Sequence, residues 1–405
     1  MNSMKKYLTG YEYKVLHKRI IFTCFILFIY ILGSRIPVIF TTKDDSQLNH
    51  FYNLTAASTG GDFSTLNIFS LGIGPWLTAM VFMTLLSYKN QEKSMKQTRK
   101  EKHFKEKTLA LIFSVGQGYF VLNQFLNKEQ INELNKLTIL IILITGAMLL
   151  MWLADQNTRY GIAGPMPIVF ISIIKAIFRE APQTLGFDSK FMIIIVMLFI
   201  TLMILMLIEL VEYRIKYIDI INVSKENVGT YLSWKINPAG SMSLMISIST
   251  FMILNSLVNI IFNMFRDREN QTLSILNFTN PLGITIYLLI QLILGYVLSR
   301  FLLNTKNKAE VFLKSGNYFE NINPGNETSE YLNHKAQKLC WFGSLLLTII
   351  IAIPLYSTLL VPGISQEVYI AIQLIVLVYI GLNITETIRT YLYFDKYSGL
   401  LKKYW

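Results

Sequence analysis

Long apolar runs separated by short polar segments dominate the chain. A run of roughly 20 apolar residues is long enough to cross a bilayer as a single helix. The pattern predicts ten such spans, near residues 20–40, 67–88, 108–126, 138–154, 162–178, 190–211, 240–263, 282–304, 339–361 and 368–388. Residues 1–405 are therefore predicted to form one all-α, multi-pass membrane domain.

The second apolar run is interrupted by Gly72, Gly74 and Pro75. Glycine and proline break the helical hydrogen-bond pattern, so this run is predicted to be a discontinuous helix. Non-helical backbone at membrane depth is tolerated only where protein covers it or where it lines a wet cavity. The interruption therefore indicates either a functional region or a re-entrant helix that only packs.

Two long polar excursions are predicted on one side of the membrane. Residues 214–237 contain two β-prone runs, 215–223 and 230–236, around a polar turn, which predicts a projecting hairpin. Residues 305–338 form the second excursion. Two projections on one face indicate a docking platform for a partner.

Composition and charge support a membrane protein with a defined orientation. The chain is 53% hydrophobic and only 15% charged, with a net charge of +12. About 28 of the 37 basic residues fall on the side that carries both predicted termini, which the positive-inside rule places in the cytoplasm. Topology and contact with anionic lipid explain these charges, so no nucleic-acid partner is predicted.

The sequence lacks the groups that catalysis or ion coupling needs. No predicted span has a charged residue in its middle third, which disfavours an ion-coupled solute transporter. There is no phosphate-binding P-loop, no zinc-protease motif and no nucleophile–base constellation. A lipid-linked glycosyltransferase would need paired acids, and Asp44 and Asp45 are the only adjacent pair. We predict no enzyme, cofactor or metal site, with the transporter and the glycosyltransferase as alternatives.

Six stretches, in chain order, resemble the SecY subunit of the protein-conducting translocon. They are residues 33–37, 68–79, 161–162, 237–240, 322–328 and 397–403. The resemblance implies ten helices in two pseudo-symmetric halves, here 1–178 and 190–405, clamped around an hourglass pore. It also implies a lateral gate between spans 2–3 and 7–8.

The same resemblance implies a collar of apolar side chains that closes the pore and resists wetting. The collar positions would be Leu77, Val81, Met166, Phe170, Met245, and Ile375 or Val376. A plug segment, residues 59–70, would seal the pore from outside and would include Thr59, Gly60, Phe63, Leu66, Ile68 and Phe69. Gly72, Gly74 and Pro75 would form its joint. The alternative is that the collar positions are ordinary packing residues.

Several departures from the family pattern point to one subgroup. The collar is mixed where the family has mainly isoleucine, and residues 164–167 differ from the family's asparagine and glycine early in the fifth span. Asn323 stands where the family has an arginine tied to engagement of the SecA motor. Short length and divergence resemble the accessory SecY paralogue of Gram-positive bacteria, which exports serine-rich glycosylated adhesins. A housekeeping SecY is the alternative within the family.

The resemblance implies a passive polypeptide channel in the bacterial plasma membrane, with both termini cytoplasmic. An accessory SecA-type ATPase would dock on the 214–237 and 305–338 loops. The docking residues would be Lys216, Lys225, Lys235, Asn323, Pro324 and Gly325. Small SecE- and SecG-like subunits, membrane lipid and the secreted polypeptide are the other expected partners.

Overall fold

The fold is given by a computed structural model that describes residues 11–38, 56–63, 66–89, 97–126, 133–180, 189–219, 230–265, 280–360 and 365–392. Its helices before the hairpin are α1 (Tyr11–Gly33), α2 (Gly74–Lys89), α3 (Arg99–Leu126), α4 (Glu133–Tyr160), α5 (Met166–Glu180) and α6 (Ser189–Leu210). Strands β1 (Glu212–Lys216) and β2 (Tyr231–Lys235) follow. After them come α7 (Gly240–Phe265), α8 (Pro281–Leu303), α9 (Thr305–Ser315), α10 (Asn326–Leu360) and α11 (Ser365–Leu392).

Apart from α9, these helices follow the predicted spans in order, but several extend beyond the apolar runs. The third helix begins at Arg99 and the tenth at Asn326, both well inside polar segments. Lysine and glutamate are good helix formers, so both helices continue beyond the membrane. An apolar run marks only the part of a helix that lies in the membrane. The first helix is the opposite case, because it ends at Gly33 and not near residue 40.

The second span is interrupted at residues 72–75, as predicted. The segment before the interruption was predicted to be helical and is not. Residues 66–73 form consecutive turns, in which Ser70 N–H donates to Asn67 O at 3.2 Å and Gly72 N–H donates to Phe69 O at 2.9 Å. Gly72 has a φ of 59°, a left-handed conformation that glycine adopts without strain. Helix α2 then starts at Gly74, with Pro75 in its first turn, where proline is tolerated.

Two of the helices that follow predicted spans are too short to span a bilayer alone. Helix α2 has 16 residues and α5 has 15, which at 1.5 Å per residue gives about 24 and about 22 Å against a hydrocarbon core of about 30 Å. The non-helical segments before them, 66–73 and 161–165, are largely buried. Protein therefore covers the irregular backbone, as membrane depth requires.

By length and apolarity alone, four segments of the described chain qualify as membrane-spanning helices. They are Val15–Gly33, Asn135–Tyr160, Pro281–Ser315 and Asn326–Tyr356. Helices α2, α6 and α7 contain shorter apolar helical segments. These helices pack side by side, with α2 along α3, α5 along α11, and α8 along both α7 and α10.

The buried hydrophobic residues of the described ranges form one large cluster in the helix bundle and one small cluster at its edge. The small cluster joins β1, β2, α9, residues 316–325 and the first turns of α10, a group that we call the hairpin unit. Its buried members include Ile215, Trp234, Phe312, Phe319 and Leu332. A β-bridge between Ile218 and Tyr318 connects the two excursions. The two predicted projections are therefore one unit with its own core.

The predicted hairpin is present, with a shift in its first strand. Strands β1 and β2 pair antiparallel, with Glu212 opposite Lys235 and Ile215 opposite Leu232. The first strand runs from Glu212 to Lys216 and therefore begins three residues before the predicted run 215–223. Its buried residue Ile215 packs in the core that contains Trp234. Residues 220–229, Asp44, Asp45 and the 397–403 stretch lie outside the described residues.

Candidate functional site

The predicted collar positions lie on four helices and meet in the large hydrophobic cluster. Helix α2 supplies Leu77 and Val81, α5 supplies Met166 and Phe170, α7 supplies Met245, and α11 supplies Ile375 and Val376. All are buried except Phe170, which is partly buried and packs against the cluster. Ile375 and Val376 are each 2% exposed, so burial does not distinguish between them. Their role as a pore collar stays a prediction.

Hydrogen bonds from the surrounding helices hold the backbone of the predicted plug segment, residues 59–70, whose role as a plug stays a prediction. The Tyr30 hydroxyl in α1 donates to Gly60 O at 2.9 Å, and the Ser172 hydroxyl in α5 donates to Gly61 O at 2.9 Å. Ile73 N–H donates to Thr59 O at 2.8 Å, which closes the segment onto its own joint. These hydrogen bonds to carbonyl groups hold the segment against α1 and α5.

Glycines in the helices let the plug segment pack closely. A Cβ atom added at Gly146 in α4 would collide with the carbonyl oxygen of Ile68, and one added at Gly33 in α1 would collide with the ring of Phe69. The Phe69 ring also stacks on Tyr30, with ring centroids 6.0 Å apart. Leu66 is fully buried. The plug segment is thus anchored against α1, α4 and α5.

The predicted joint also lies where α2 meets α7. The Ser249 hydroxyl in α7 donates to Gly74 O at 3.3 Å, and the two helices pack along each other. A Cβ atom at Gly72 would lie 2.5 Å from both Gly61 N and Thr59 O, so this position requires glycine. The family's lateral gate would open between these two helices.

Sequence reasoning missed an ion cluster that contacts the plug segment. Arg179 Nη1 in α5 donates to both carboxylate oxygens of Asp62, at 2.9 and 3.0 Å. Lys175 Nζ lies 3.8 Å from Asp62 Oδ2 and donates to Ser34 Oγ at 3.0 Å. The sequence does indicate the two cations of this cluster, because Lys175 and Arg179 are spaced i, i+4 on one helix face. Their anionic partner Asp62 could not be predicted, because it lies 117 residues from Arg179 in the chain.

A second network, also missed, holds the segment before α5. Asn157 Nδ2 donates to Ile162 O at 3.0 Å and to Gly164 O at 2.6 Å, while its Oδ1 accepts from the Thr23 hydroxyl at 2.9 Å. Arg19 Nη1 donates to Gly161 O at 3.0 Å. The side chain of Asn157 is fully buried and satisfies carbonyl groups that the helix start leaves unpaired.

The predicted docking residues divide into exposed and internally bonded ones. Lys216 is exposed in β1, and Lys225 lies outside the described residues. Asn323 and Pro324 are exposed at the start of α10, where Asn323 N–H donates to Glu327 Oε2 at 3.1 Å. Gly325 has a φ of 112°, a conformation that favours glycine.

Lys235 is not available as a free cation. Its ammonium group pairs with Glu209 at the end of α6, at 2.7 Å, and with Glu386 of α11. Burial lowers the pKa of Lys235, but the hydrogen bonds that it donates to the two carboxylates outweigh burial and leave the pKa above its ordinary value. Lys235 therefore ties the hairpin unit to two helices of the bundle.

Comparison with known proteins identifies the family. The model of the SecY family matches residues 67–385. The chain belongs to the SecY family. Among curated relatives, the accessory Sec system protein translocase subunit SecY2 of Staphylococcus epidermidis is 53% identical over 98% of this chain and 99% of its own length. The subunit of the same name in Staphylococcus aureus strain Newman is 53% identical over 99% of this chain and 100% of its own length.

Solved structures show the same SecY fold at low sequence identity. The structure described as that of a protein conducting channel has a TM-score of 0.68 at 14% identity and covers 93% of this chain and 92% of that chain. Sec61 in the canine ribosome–channel complex has a TM-score of 0.63 at 14% identity, with the same coverage. The predicted SecY-like fold and the likeness to the accessory paralogue are confirmed. This SecY chain belongs to a family of multi-pass membrane channels, not of enzymes.

Proposed function

We propose that this chain is the central channel subunit of an accessory protein-export translocase and conducts unfolded or glycosylated secretory polypeptides across the plasma membrane. The observation that carries the proposal is the plug segment, which is held by side-chain hydrogen bonds from Tyr30 and Ser172. It packs in the same hydrophobic cluster as the predicted collar. The near full-length likeness to accessory SecY2 subunits supports the accessory assignment.

The collar chemistry suits a closed channel that must admit unlike polypeptides. Apolar side chains from four helices resist wetting and ion passage. Met166 and Met245 supply flexible side chains that repack around different partners, and Met245 is only 1% exposed. Opening would require the plug segment to leave its contacts with α1, α4 and α5. The Ser249–Gly74 hydrogen bond across α7 and α2 would break when the gate opens sideways.

The driving energy would come from a SecA-type ATPase bound to the hairpin unit. The sequence carries no phosphate-binding P-loop, and the unit presents Lys216 and the 323–325 turn to a partner. The Lys235 ion pairs with α6 and α11 would transmit a load from the unit to the bundle. Serine-rich adhesins are the proposed substrates, SecE- and SecG-like proteins the proposed small subunits, and both termini are proposed to be cytoplasmic.

Site-specific crosslinking to an arrested substrate tests the channel. In a background with Cys24 and Cys340 replaced by serine, cysteines at Leu77 and Met166 should crosslink to a serine-rich polypeptide stalled in transit with the accessory ATPase. A cysteine at Ile141 is the matched control, because this side chain is 59% exposed on the outside of α4. Crosslinking at Ile141 but not at Leu77 and Met166 would refute the pore assignment.

The alternative function, a solute transporter, predicts a different result in the crosslinking experiment. It would take up a small molecule saturably under an ion gradient without any ATPase, and no polypeptide would crosslink at the collar positions. The absence of charged residues from the middle of the predicted spans argues against ion coupling.

A further inference from the structure

The plug segment carries one carboxylate into a cluster of cations. The side chain of Asp62 is 9% exposed, whereas those of Arg179 and Lys175 are 32% and 38% exposed. Both carboxylate oxygens of Asp62 accept from Arg179, and Asp62 N–H donates to Ser70 O at 3.2 Å inside the plug segment. The carboxylate is therefore nearly buried, while its cations keep contact with the surroundings.

The cations and a hydroxyl form a polar stripe on one face of α5. Ser172, Lys175 and Arg179 follow the i, i+3, i+7 spacing of a single helix face. Ser172 binds the carbonyl oxygen of Gly61, and Arg179 binds the next side chain along, Asp62. Helix α5 thus binds the backbone of one plug residue, Gly61, and the side chain of the next, Asp62.

A charge pair of this kind specifies position more than it adds stability. Desolvating two charges offsets much of their attraction, but removing one partner leaves a buried charge without compensation and is costly. Asp62 meets its cation only when the plug segment lies against α5. Because Arg179 is one-third exposed, water can solvate it once the pair separates. The arrangement can therefore hold one position and still be released.

We propose that Asp62 and Arg179 form a latch that holds the plug segment closed. Lys175, which lies 3.8 Å from Asp62 Oδ2 and donates to Ser34, is a second, weaker cation. The proposal rests on the channel function proposed above and adds the pair that sets its resting state. Release separates Asp62 from Arg179 as the plug segment leaves α5. Asp62 and Arg179 are positioning residues for the plug segment, not groups that touch the moving polypeptide.

Charge exchange tests the latch on the full chain. The plug position is read by labelling Ala57→Cys, two residues before the plug segment, in the serine background, with a membrane-impermeant maleimide. Ala57 is 2% exposed, and its carbonyl oxygen accepts from Gly60 N–H. Asp62→Lys or Arg179→Glu alone should raise the labelling rate, and resting ion efflux from proteoliposomes, about tenfold or more. Asp62→Lys combined with Arg179→Glu should return both to within about threefold of the starting protein.

The exposed pair Glu101–Lys105 is the matched control. Its atoms are 2.7 Å apart, but both side chains are more than 40% exposed, so reversing either charge should leave labelling and efflux unchanged. Protein yield and the midpoint of thermal unfolding check that each variant folds. Unchanged labelling in both single variants would overturn the latch. Faster labelling without recovery in the double variant would overturn it too, because a general loss of packing gives that result.

The outcomes separate the latch from the channel. If Leu77→Cys and Met166→Cys crosslink to the substrate while charge reversal leaves Ala57→Cys protected, only the latch is wrong. If no substrate crosslinks at those positions while labelling follows the charge exchange, the latch stands and the channel function is wrong. Maleimide labelling does not depend on conduction, so it reports the plug position in either case.

Discussion

Replacing Gly146 with alanine should dislodge the plug segment. The added Cβ atom would collide with the carbonyl oxygen of Ile68 and would lie 2.9 Å from its carbonyl carbon and 3.1 Å from its Cγ2. The closest atoms belong to the backbone of Ile68, so a change of rotamer cannot relieve the collision. The plug segment must retreat from α4 by about 1 Å or more to restore van der Waals distances.

The magnitude follows from the cost of overpacking. Inserting a methyl group into a packed contact typically costs about 1–3 kcal/mol. In a closed–open equilibrium this lowers the ratio of closed to open channels by about 5- to 150-fold. The substitution does not weaken α4 itself, because alanine is a better helix former than glycine by about 1 kcal/mol. The Gly146→Ala channel should therefore leak ions at rest, while α4 stays helical.

Resting ion efflux from proteoliposomes, without substrate or ATPase, measures this leak. Gly116→Ala in α3 is the matched control, since nothing lies within 4 Å of a Cβ atom at that position. It carries the same gain in helix propensity but touches no plug residue. Equal efflux from the two variants would contradict this prediction, because the plug segment would then not depend on its contact with Gly146.

Three further predictions concern the elements around the plug segment. Trp234→Ala should lower the stability of the hairpin unit by about 3–5 kcal/mol, so that limited proteolysis cuts this unit. The control Tyr231→Ala, whose side chain is 47% exposed, should stay uncut, and equal cutting of the two variants would contradict the prediction. Asn157→Leu leaves buried carbonyl groups unpaired and should cost about 1–3 kcal/mol, seen as a lower midpoint of thermal unfolding. Asn323→Arg restores the family's residue and should strengthen binding of a housekeeping SecA motor; unchanged affinity and export would place the interface elsewhere.

Local patterns were enough for the order of the long helices and for the hairpin, but not for α9. Apolar runs predicted the order of the long helices, because burying such runs needs a bilayer or a core whatever their neighbours are. Glycine and proline at 72–75 predicted the break, because both act on the backbone of their own residue. The start of α10 at Asn326 was missed, because hydropathy marks the membrane and not the end of helical hydrogen bonding.

The candidate site was less predictable. The collar and plug positions came from motif resemblance, and their burial in one cluster fits both a collar and ordinary packing. Lys235 was assigned to docking from its charge, but it pairs internally with Glu209 and Glu386. A sequence gives the charge of a lysine and not the carboxylates that the fold brings to it.

The residues alone indicate a multi-helix membrane protein of the SecY type, with a broken second span and a hairpin. The spans, the break and the hairpin depend on residue type and on spacing within one element, and the likeness to SecY depends on the order of six motifs. Tertiary packing alone shows what the plug segment rests on, namely Gly146 in α4, Ser172 and Arg179 in α5, and Tyr30 in α1. Such contacts join residues that are distant in the chain, and their geometry exists only once the helices have packed.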